Sequence, residues 1–123
     1  MYMYAPGTVF QVDEGLYKHV GVSICNGYVL HNHRERGEEA VTIDQFAAGR
    51  KVSIKPLPPV TDQAVFTRNV RYILSNPKPY HLLFSNCDHT VYKARDGIPS
   101  SPQLAGFVAA ALALGTLFVA ASQ

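Results

Sequence analysis

The chain has 123 residues, of which 47% are hydrophobic, and it carries a formal net charge of +2. This length fits a single domain, and the hydrophobic content is sufficient for a compact core. Because the net charge is small and the basic residues are scattered, no nucleic-acid partner is predicted. The two cysteines, Cys25 and Cys87, are predicted to be free thiols, since one bridge does not make the disulfide framework of a secreted protein.

The first half of the chain reads mainly as strands. Apolar side chains alternate with polar ones, and turn residues separate the runs. Asn26-Gly27 is expected to turn the chain between the second strand and the third, whereas residues 34–39 are predicted to form a charged, exposed loop. Four strands are predicted, at residues 8–12, 16–24, 28–33 and 51–55.

Helical segments alternate with these strands. Thr42 and Thr61 are predicted N-caps for helices that extend to Gly49 and to about Leu74. A last short helix is expected to begin near Asn86 or Cys87 and to run to about residue 95. This mixture of meandering strands and helices favours the α+β class, with an antiparallel sheet packed on helices.

The C-terminal quarter differs in composition. No charged residue follows Asp96, and residues 104–121 are almost entirely apolar. We therefore predict a catalytic domain at 1–98 and a hydrophobic helix at 99–123 that anchors the protein in a membrane. A buried or packed terminal helix is the alternative, because eighteen apolar residues is near the lower limit for a span. Lys93 and Arg95 precede this helix, which predicts a membrane-associated protein whose catalytic domain faces the cytoplasm.

The hairpin around Asn26-Gly27 decides where two histidines lie. A two-residue turn would pair Cys25 with Tyr28 and place His19 and His31 on opposite faces. A three-residue loop pairs Ile24 with Tyr28 instead, so that His31 lies opposite Gly21 and diagonally next to His19. We predict this second register because it also gathers the apolar side chains of the hairpin on the other face, namely Val20, Val22, Ile24 and Leu30. Gly21 and Ser23 would then leave space on the histidine face for the helix end that carries Cys87.

Cys87 is the candidate nucleophile. The N-terminus of a helix favours a thiolate and offers N–H groups to an oxyanion. His19 is the candidate base that takes the thiol proton, and His31 is expected to orient its imidazole. His33 is the rival for this orienting role, while His81 and His89 read as surface residues. The histidines and Cys87 lack the close paired spacing of structural zinc sites, so neither a metal nor another cofactor is predicted.

Three segments resemble the lecithin:retinol acyltransferase-like group of the NlpC/P60 superfamily. The first runs from Pro6-Gly7-Thr8-Val9 into Tyr17-Lys18-His19, and the second is Asn26-Gly27-Tyr28-Val29-Leu30-His31. The third and most specific is Asn86-Cys87-Asp88-His89, preceded by Tyr80-His81-Leu82-Leu83. The resemblance implies a circularly permuted papain-like fold, Cys87 as nucleophile, His19 as base, His31 as orienting residue and Tyr17 as a possible oxyanion donor.

The activity implied by this resemblance is acyl transfer from a lipid ester, such as a phospholipid, through an acyl-cysteine intermediate. An apolar C-terminal anchor is common in this group. Asp88 stands in place of the group's usual glutamate and Val20 in place of a frequent aromatic residue, and both changes bear on substrate choice. Two alternatives stay open: an amidase or peptidase like other NlpC/P60 members, and a non-catalytic, membrane-tethered interaction protein that retains the motif.

Overall fold

The computed structural model describes residues 4–98 and 101–122, with the side chains of residues 115–122 excepted. Its centre is one antiparallel sheet with the strand order β4-β3-β2-β1-β5. This arrangement confirms the predicted α+β class with an antiparallel sheet. The strands are β1 (Val9–Asp13), β2 (Lys18–Ser23), β3 (Tyr28–His33), β4 (Gly37–Thr42) and β5 (Ser53–Lys55), and the helices are α1 (Ile43–Ala47), α2 (Gln63–Ser75), α3 (Cys87–Asp96) and α4 (Pro102–Ser122).

The register of the β2–β3 hairpin is the predicted one. Gly21 pairs with His31, and the Ile24 N–H donates to the Tyr28 carbonyl at 3.1 Å. The turn itself is tighter than expected, because the Tyr28 N–H also donates to the Cys25 carbonyl at 2.9 Å. Asn26 and Gly27 both have positive φ angles, of 52° and 80°, a backbone conformation that these residue types tolerate best. One extra residue on the β2 side therefore sets the register and places both histidines on one face.

The sheet separates two apolar layers. Helices α2 and α3 cover one face, where Val20, Val22 and Leu30 pack against Phe66 and Val91. Helix α1 covers the other face through its single buried side chain, Phe46, which completes a smaller cluster of Phe10, Val12, Val29 and Val41. The alternation of side chains along β2 and β3 thus serves both layers, as expected for a sheet covered on both faces.

The prediction of an exposed loop at residues 34–39 was wrong. Only the turn at 34–36 is irregular, and β4 begins at Gly37 and pairs with β3 along its whole length. The run of charges in this segment suggested exposure, but the Glu38 side chain is fully buried and bonded to partners from distant parts of the chain. Such partners lie outside any local sequence pattern, so the burial of a glutamate here could not be recognised from the sequence.

The predicted cap of α1 and the predicted start of α3 are confirmed, whereas the cap of α2 lies one residue from the predicted one. Thr42 caps α1 in a capping box with Gln45, and Asn86 caps α3 in a box with His89. Asp62, rather than the predicted Thr61, caps α2 by accepting a bond from the Val65 N–H. The cap on α3 places Cys87 at the first position of that helix.

The first turn of α4 packs on the domain. The Gln103 side chain accepts from the Lys18 N–H at 2.8 Å and donates to the Lys18 carbonyl at 2.9 Å. It also donates to the carboxylate of Asp88, which accepts a further bond from Ser101 at 3.1 Å. The end of the predicted catalytic domain and the start of the predicted anchor are therefore connected through polar side chains.

In the part of the chain that the structure describes, no helix has both the length and the apolar character needed to cross a membrane. The predicted anchor, residues 99–123, includes residues 99, 100 and 123, which lie outside the described residues. The division at residue 98 and the membrane anchor both stay predictions.

Replacing Glu38 with alanine is expected to destabilise the fold by about 3–5 kcal/mol, because it leaves a partly buried ammonium without its counter-ion. The Glu38 carboxylate accepts from Lys93 Nζ at 2.9 Å, from Thr90 Oγ1 at 2.7 Å and from the Lys78 N–H at 2.9 Å. Urea unfolding of the variant measures the loss, with Glu35→Ala on the exposed turn as the matched control. Equal stability of the two variants would show that this network adds nothing.

Candidate active site

His19 and His31 lie in direct contact on the histidine face of the sheet. His19 Nε2 is 2.9 Å from His31 Nδ1, and both rings pack against Phe46. Their position follows from the hairpin register, which sets His31 opposite Gly21, two residues beyond His19. The structure therefore brings together the predicted base and the predicted orienting residue.

A third residue, Glu39, extends this pair. His31 Nε2 is 3.0 Å from Glu39 Oε1, and Arg36 binds the same carboxylate with Nε at 2.9 and 3.0 Å from its two oxygens. The hydrogen bond from Arg36 is the main cause that lowers the pKa of Glu39, so this carboxyl group is ionised at neutral pH. Sequence reasoning missed Glu39, although it lies directly opposite His31 once β4 is recognised as a strand.

The charge on Glu39 determines the protonation of both imidazoles. An ionised carboxylate can only accept, so His31 Nε2 carries a proton and donates it to Glu39. In the neutral ring, His31 Nδ1 is then an acceptor, and His19 donates to it from Nε2. The free lone pair of neutral His19 is therefore on Nδ1, which has no hydrogen-bond partner among the described residues. This is the arrangement required of a general base.

Burial keeps this base neutral. Burial, together with the smaller effect of the nearby His31, lowers the pKa of His19 to about 3. Burial also lowers the pKa of His31, although the hydrogen bond from His31 to Glu39 opposes that effect. At neutral pH, the His19 imidazole is therefore unprotonated.

Cys87 reaches β2 from the other face of the sheet. Its side chain belongs to the apolar layer with Val20 and Val22, and its sulfur donates to the Lys18 carbonyl at 3.7 Å. No hydrogen bond joins the thiol to His19 within the described residues. The thiol is instead bonded to the main chain of the residue that immediately precedes His19.

The predicted approach of the α3 helix end was therefore wrong. We expected Gly21 and Ser23 to leave room for Cys87 on the histidine face, but Phe46 of α1 occupies that space. A Cβ atom on Gly21 would lie 2.7 Å from the Phe46 ring. Gly21 correctly indicated that another element packs closely on this face. The sequence of the hairpin alone does not show which element that is.

The thiol is also not activated in the way that its helix position suggested. Burial raises the pKa of Cys87 to about 11, and hydrogen bonding by the backbone of Val20 only partly offsets this. The N–H groups at a helix N-terminus favour a thiolate, but here the loss of solvent outweighs them. Cys87 is therefore a protonated thiol at neutral pH.

Alkylation by iodoacetamide at pH 8 is expected to be at least about tenfold slower at Cys87 than at Cys25, because the thiolate is the reacting form. Cys25 is exposed on the hairpin turn, whereas Cys87 is buried. Single-thiol variants, Cys25→Ser and Cys87→Ser, allow each rate to be followed by mass spectrometry. The Cys87 rate should rise steadily as the pH is raised towards 11. A faster reaction at Cys87 than at Cys25 near neutral pH would contradict this assignment.

Two cavities meet near the thiol and the histidines. A cavity of about 280 Å³ is lined by Cys87 and by mostly apolar side chains, and a polar groove of about 690 Å³ is lined by His19, His31 and Glu39. Tyr17 and Arg34 line both, and the Arg34 guanidinium lies 5.9 Å from the centre of the Tyr17 ring. The nucleophile and the base therefore face adjoining spaces that share one wall.

Two phenols stand beside the thiol in the smaller cavity. Tyr17 is the predicted oxyanion donor, and Tyr80 is a second tyrosine that sequence reasoning did not assign. Burial raises the pKa of both, so each keeps its proton at neutral pH and can donate a hydrogen bond. Tyr80 could have been recognised from the sequence, because it lies in the segment that leads to Cys87. This segment contains the most specific part of the resemblance.

The other three histidines have local structural roles. His33 Nδ1 accepts from the N–H groups of Glu35 and Arg36, so His33 shapes the turn before β4 and does not orient His19. His89 closes the capping box of α3 through Nδ1, at 3.0 Å from the Asn86 N–H. His81 accepts from the N–H groups of Leu83 and Phe84 through Nδ1. Within residues 4–98 and 101–122, no group of three or more histidine, cysteine, aspartate or glutamate side chains is arranged to hold a metal ion.

No protein-family model matches this chain, and no curated protein matches it either. The similarity to lecithin:retinol acyltransferase-like proteins therefore rests on the three sequence segments.

Proposed function

We propose that this protein is a cysteine-nucleophile acyltransferase or acyl hydrolase that acts on a lipid ester, on a circularly permuted papain-like fold. The observation that carries the proposal is the hydrogen-bonded series Glu39–His31–His19. It leaves the lone pair of a buried neutral imidazole free, one residue from the carbonyl that holds the Cys87 thiol. A base with an orienting partner beside a nucleophile is the general arrangement of covalent acyl transfer.

In the proposed reaction, Cys87 Sγ attacks the carbonyl carbon of the ester while its proton passes to His19 Nδ1. Because the two side chains lie on opposite faces of the sheet, this step requires the thiol to leave the Lys18 carbonyl and to reach the His19 imidazole near the start of β2. The negative charge that forms on the carbonyl oxygen is stabilised by the phenols of Tyr17 and Tyr80 and by N–H groups at the start of α3. The carbon–oxygen bond of the ester then breaks, and the departing alkoxide takes the proton from His19.

The resulting acyl-cysteine is released by a second attack. Water, an amine or another alcohol gives its proton to His19 and bonds to the thioester carbon. The sulfur leaves as a thiolate and recovers the proton from the imidazolium. No metal, redox partner or cofactor is needed to balance either step.

The apolar lining of the smaller cavity favours an acyl chain over a peptide. Leu16, Leu82, Leu104 and Phe107 surround the space that the thiol faces. Its volume of about 280 Å³ is just below the usual range for a small-molecule site, which begins at about 300 Å³. Such a cavity would hold the part of an acyl chain nearest the ester and leave the remainder outside.

A second candidate is a non-catalytic interaction protein. The observation that favours it is the thiol itself, which is buried, protonated and bonded to a main-chain carbonyl instead of to His19. In this case the two histidines and Glu39 would only stabilise the sheet.

Intact-mass measurement after incubation with phospholipid vesicles tests the proposal. We expect an added mass equal to one acyl chain, localised to Cys87 after digestion and removed by hydroxylamine, because thioesters are cleaved by that reagent. The Cys25→Ser variant should form the same adduct. An adduct formed from a peptide or amide substrate, and from no lipid, would favour an amidase. The absence of any adduct from either would favour the non-catalytic candidate.

A further inference from the structure

Four large apolar side chains project into solvent from two segments that border the cavity containing Cys87. One of them is Leu16, which is 89% exposed. The other three are consecutive residues in a short turn between α2 and α3: Leu82 is 61% exposed, Leu83 is 51% exposed and Phe84 is 78% exposed. Leu16 and Leu82 line the cavity itself. These four residues form the apolar rim. An exposed apolar patch of this kind commonly marks a surface that is covered in function.

The turn that carries three of these residues satisfies much of its own backbone. His81 and Ser85 bond to each other through both main chains, at 2.7 and 2.8 Å. Between them, the N–H groups of Leu83 and Phe84 donate to His81 Nδ1 at 3.2 and 3.3 Å, and the Leu82 carbonyl accepts from Asn86 Nδ2 at 2.9 Å.

This internal bonding suits an apolar surrounding better than water. A loop that leaves its polar groups to the solvent cannot enter lipid, because each unsatisfied group costs several kcal/mol there. At the tip of this turn, the amides of Leu83 and Phe84 and the carbonyl of Leu82 already have partners. His81, which the sequence suggested was a surface residue, thus organises a turn that presents three consecutive apolar side chains.

Helix α4 continues the same surface. It starts at the cavity, where Leu104 and Phe107 form part of the wall. Every residue from Leu104 to Leu114 is apolar, and the exposed side chains point to several sides of the helix: Phe107, Val108, Leu112 and Leu114. Arg34 lies on the cavity wall, and none of the described residues forms an ion pair with it. The positive charge of Arg34 at the edge of an apolar surface complements the anionic headgroups of a membrane.

From these contacts we propose that the apolar rim docks into the surface of a lipid bilayer containing anionic lipid. The docked bilayer covers Leu16 and the turn at Leu82–Phe84, and it places the cavity mouth at the level of the acyl chains. A bilayer fits better than a folded partner, because it would both cover the rim and surround the apolar start of α4. This inference rests on the proposed function in one respect only, namely that a lipid ester enters the cavity.

Tryptophan fluorescence can test the docking in the full chain, because the natural sequence contains no tryptophan. Leu83→Trp places a single reporter on the rim. Tyr72→Trp is the matched control, since Tyr72 is 67% exposed on α2 and is not among the cavity-lining residues. The vesicles are made of ether-linked phosphatidylcholine and phosphatidylglycerol, which contain no carboxylic ester for the protein to cleave. Docking and turnover can therefore fail independently.

On addition of vesicles, the emission of Leu83→Trp is expected to shift to shorter wavelength and to be quenched by brominated lipid, while Tyr72→Trp shows neither effect. Leu83→Asp should weaken vesicle binding about tenfold or more, because a leucine side chain loses 1.5 kcal/mol or more of burial, roughly a factor of ten in affinity. Emission that stays at the solution wavelength, whether or not the protein sediments with vesicles, would overturn the proposal. So would a blue shift without vesicles that grows with protein concentration, since a second copy of the chain would then cover the rim.

Discussion

Replacing Cys87 with serine is expected to lower acyl release from phospholipid by at least about 10⁴-fold, because the reaction loses its nucleophile. The hydroxyl of serine is a much weaker acid than a thiol, and the proposed base is a buried imidazole with a pKa of about 3. Proton transfer from an alcohol to this base is even less favourable than transfer from the Cys87 thiol, whose pKa is raised to about 11. The measurement is the release of labelled fatty acid from vesicles, with Cys25→Ser as the matched control at an exposed cysteine.

The replacement is small enough to leave the fold intact. Cys87 lies in the apolar layer formed by α2, α3 and β2, where serine adds a hydroxyl that can take over the bond to the Lys18 carbonyl. Thermal unfolding should therefore show a stability close to that of the parent protein. If the folded variant still released fatty acid at the parent rate, Cys87 would not be the nucleophile.

Replacing His19 with alanine is expected to slow acyl transfer by about 10²- to 10⁴-fold, which is the usual contribution of a general base. His19 is the only member of the Glu39–His31–His19 series that lies next to Lys18, whose carbonyl holds the thiol. His33→Ala is the matched control, because His33 bonds only to the turn before β4 and should leave the rate nearly unchanged. Equal losses in the two variants would indicate a structural effect on the sheet.

The pH profile gives this second prediction a readout that a structural role would not affect. The pKa of His19 is lowered to about 3, so the imidazole is neutral and able to accept a proton at every pH well above that value. The activity of the parent protein should therefore persist as the pH falls from 7 to about 5, where an ordinary imidazole would already be protonated. It should be lost only as the pH approaches the lowered pKa. A fall in rate centred near pH 6.5 would contradict the assignment of His19 as a buried base.

The structure of the β2–β3 hairpin could be predicted from local sequence patterns. The choice of register at Asn26-Gly27 followed from the need to gather Val20, Val22 and Leu30 on one face, and the structure pairs the strands in that way. That choice placed His19 beside His31, so the contact at 2.9 Å was predictable from side-chain alternation alone. The start of α3 at Cys87 was predictable for a similar reason, because a helix cap depends on residues only three positions apart.

The position of Cys87 could not be derived in this way. Which face α3 covers depends on how α1 and α2 pack, and Phe46 takes the space beside Gly21 that was expected to receive the thiol. Glu39 was missed for a related reason. Glu39 lies in a run of charged residues that resembled an exposed loop. Only the pairing of β4 with β3 places Glu39 opposite His31.

The sequence by itself therefore determined the α+β class, the hairpin register, the start of the Cys87 helix and the pairing of His19 with His31. All of these depend on side-chain periodicity or on capping over a few residues. Tertiary structure alone decided that the thiol is buried and protonated, that it contacts β2 at the Lys18 carbonyl, and that Glu39 sets the protonation of the histidine pair. These properties depend on solvent exclusion and on the meeting of distant segments, which no local pattern of residues encodes.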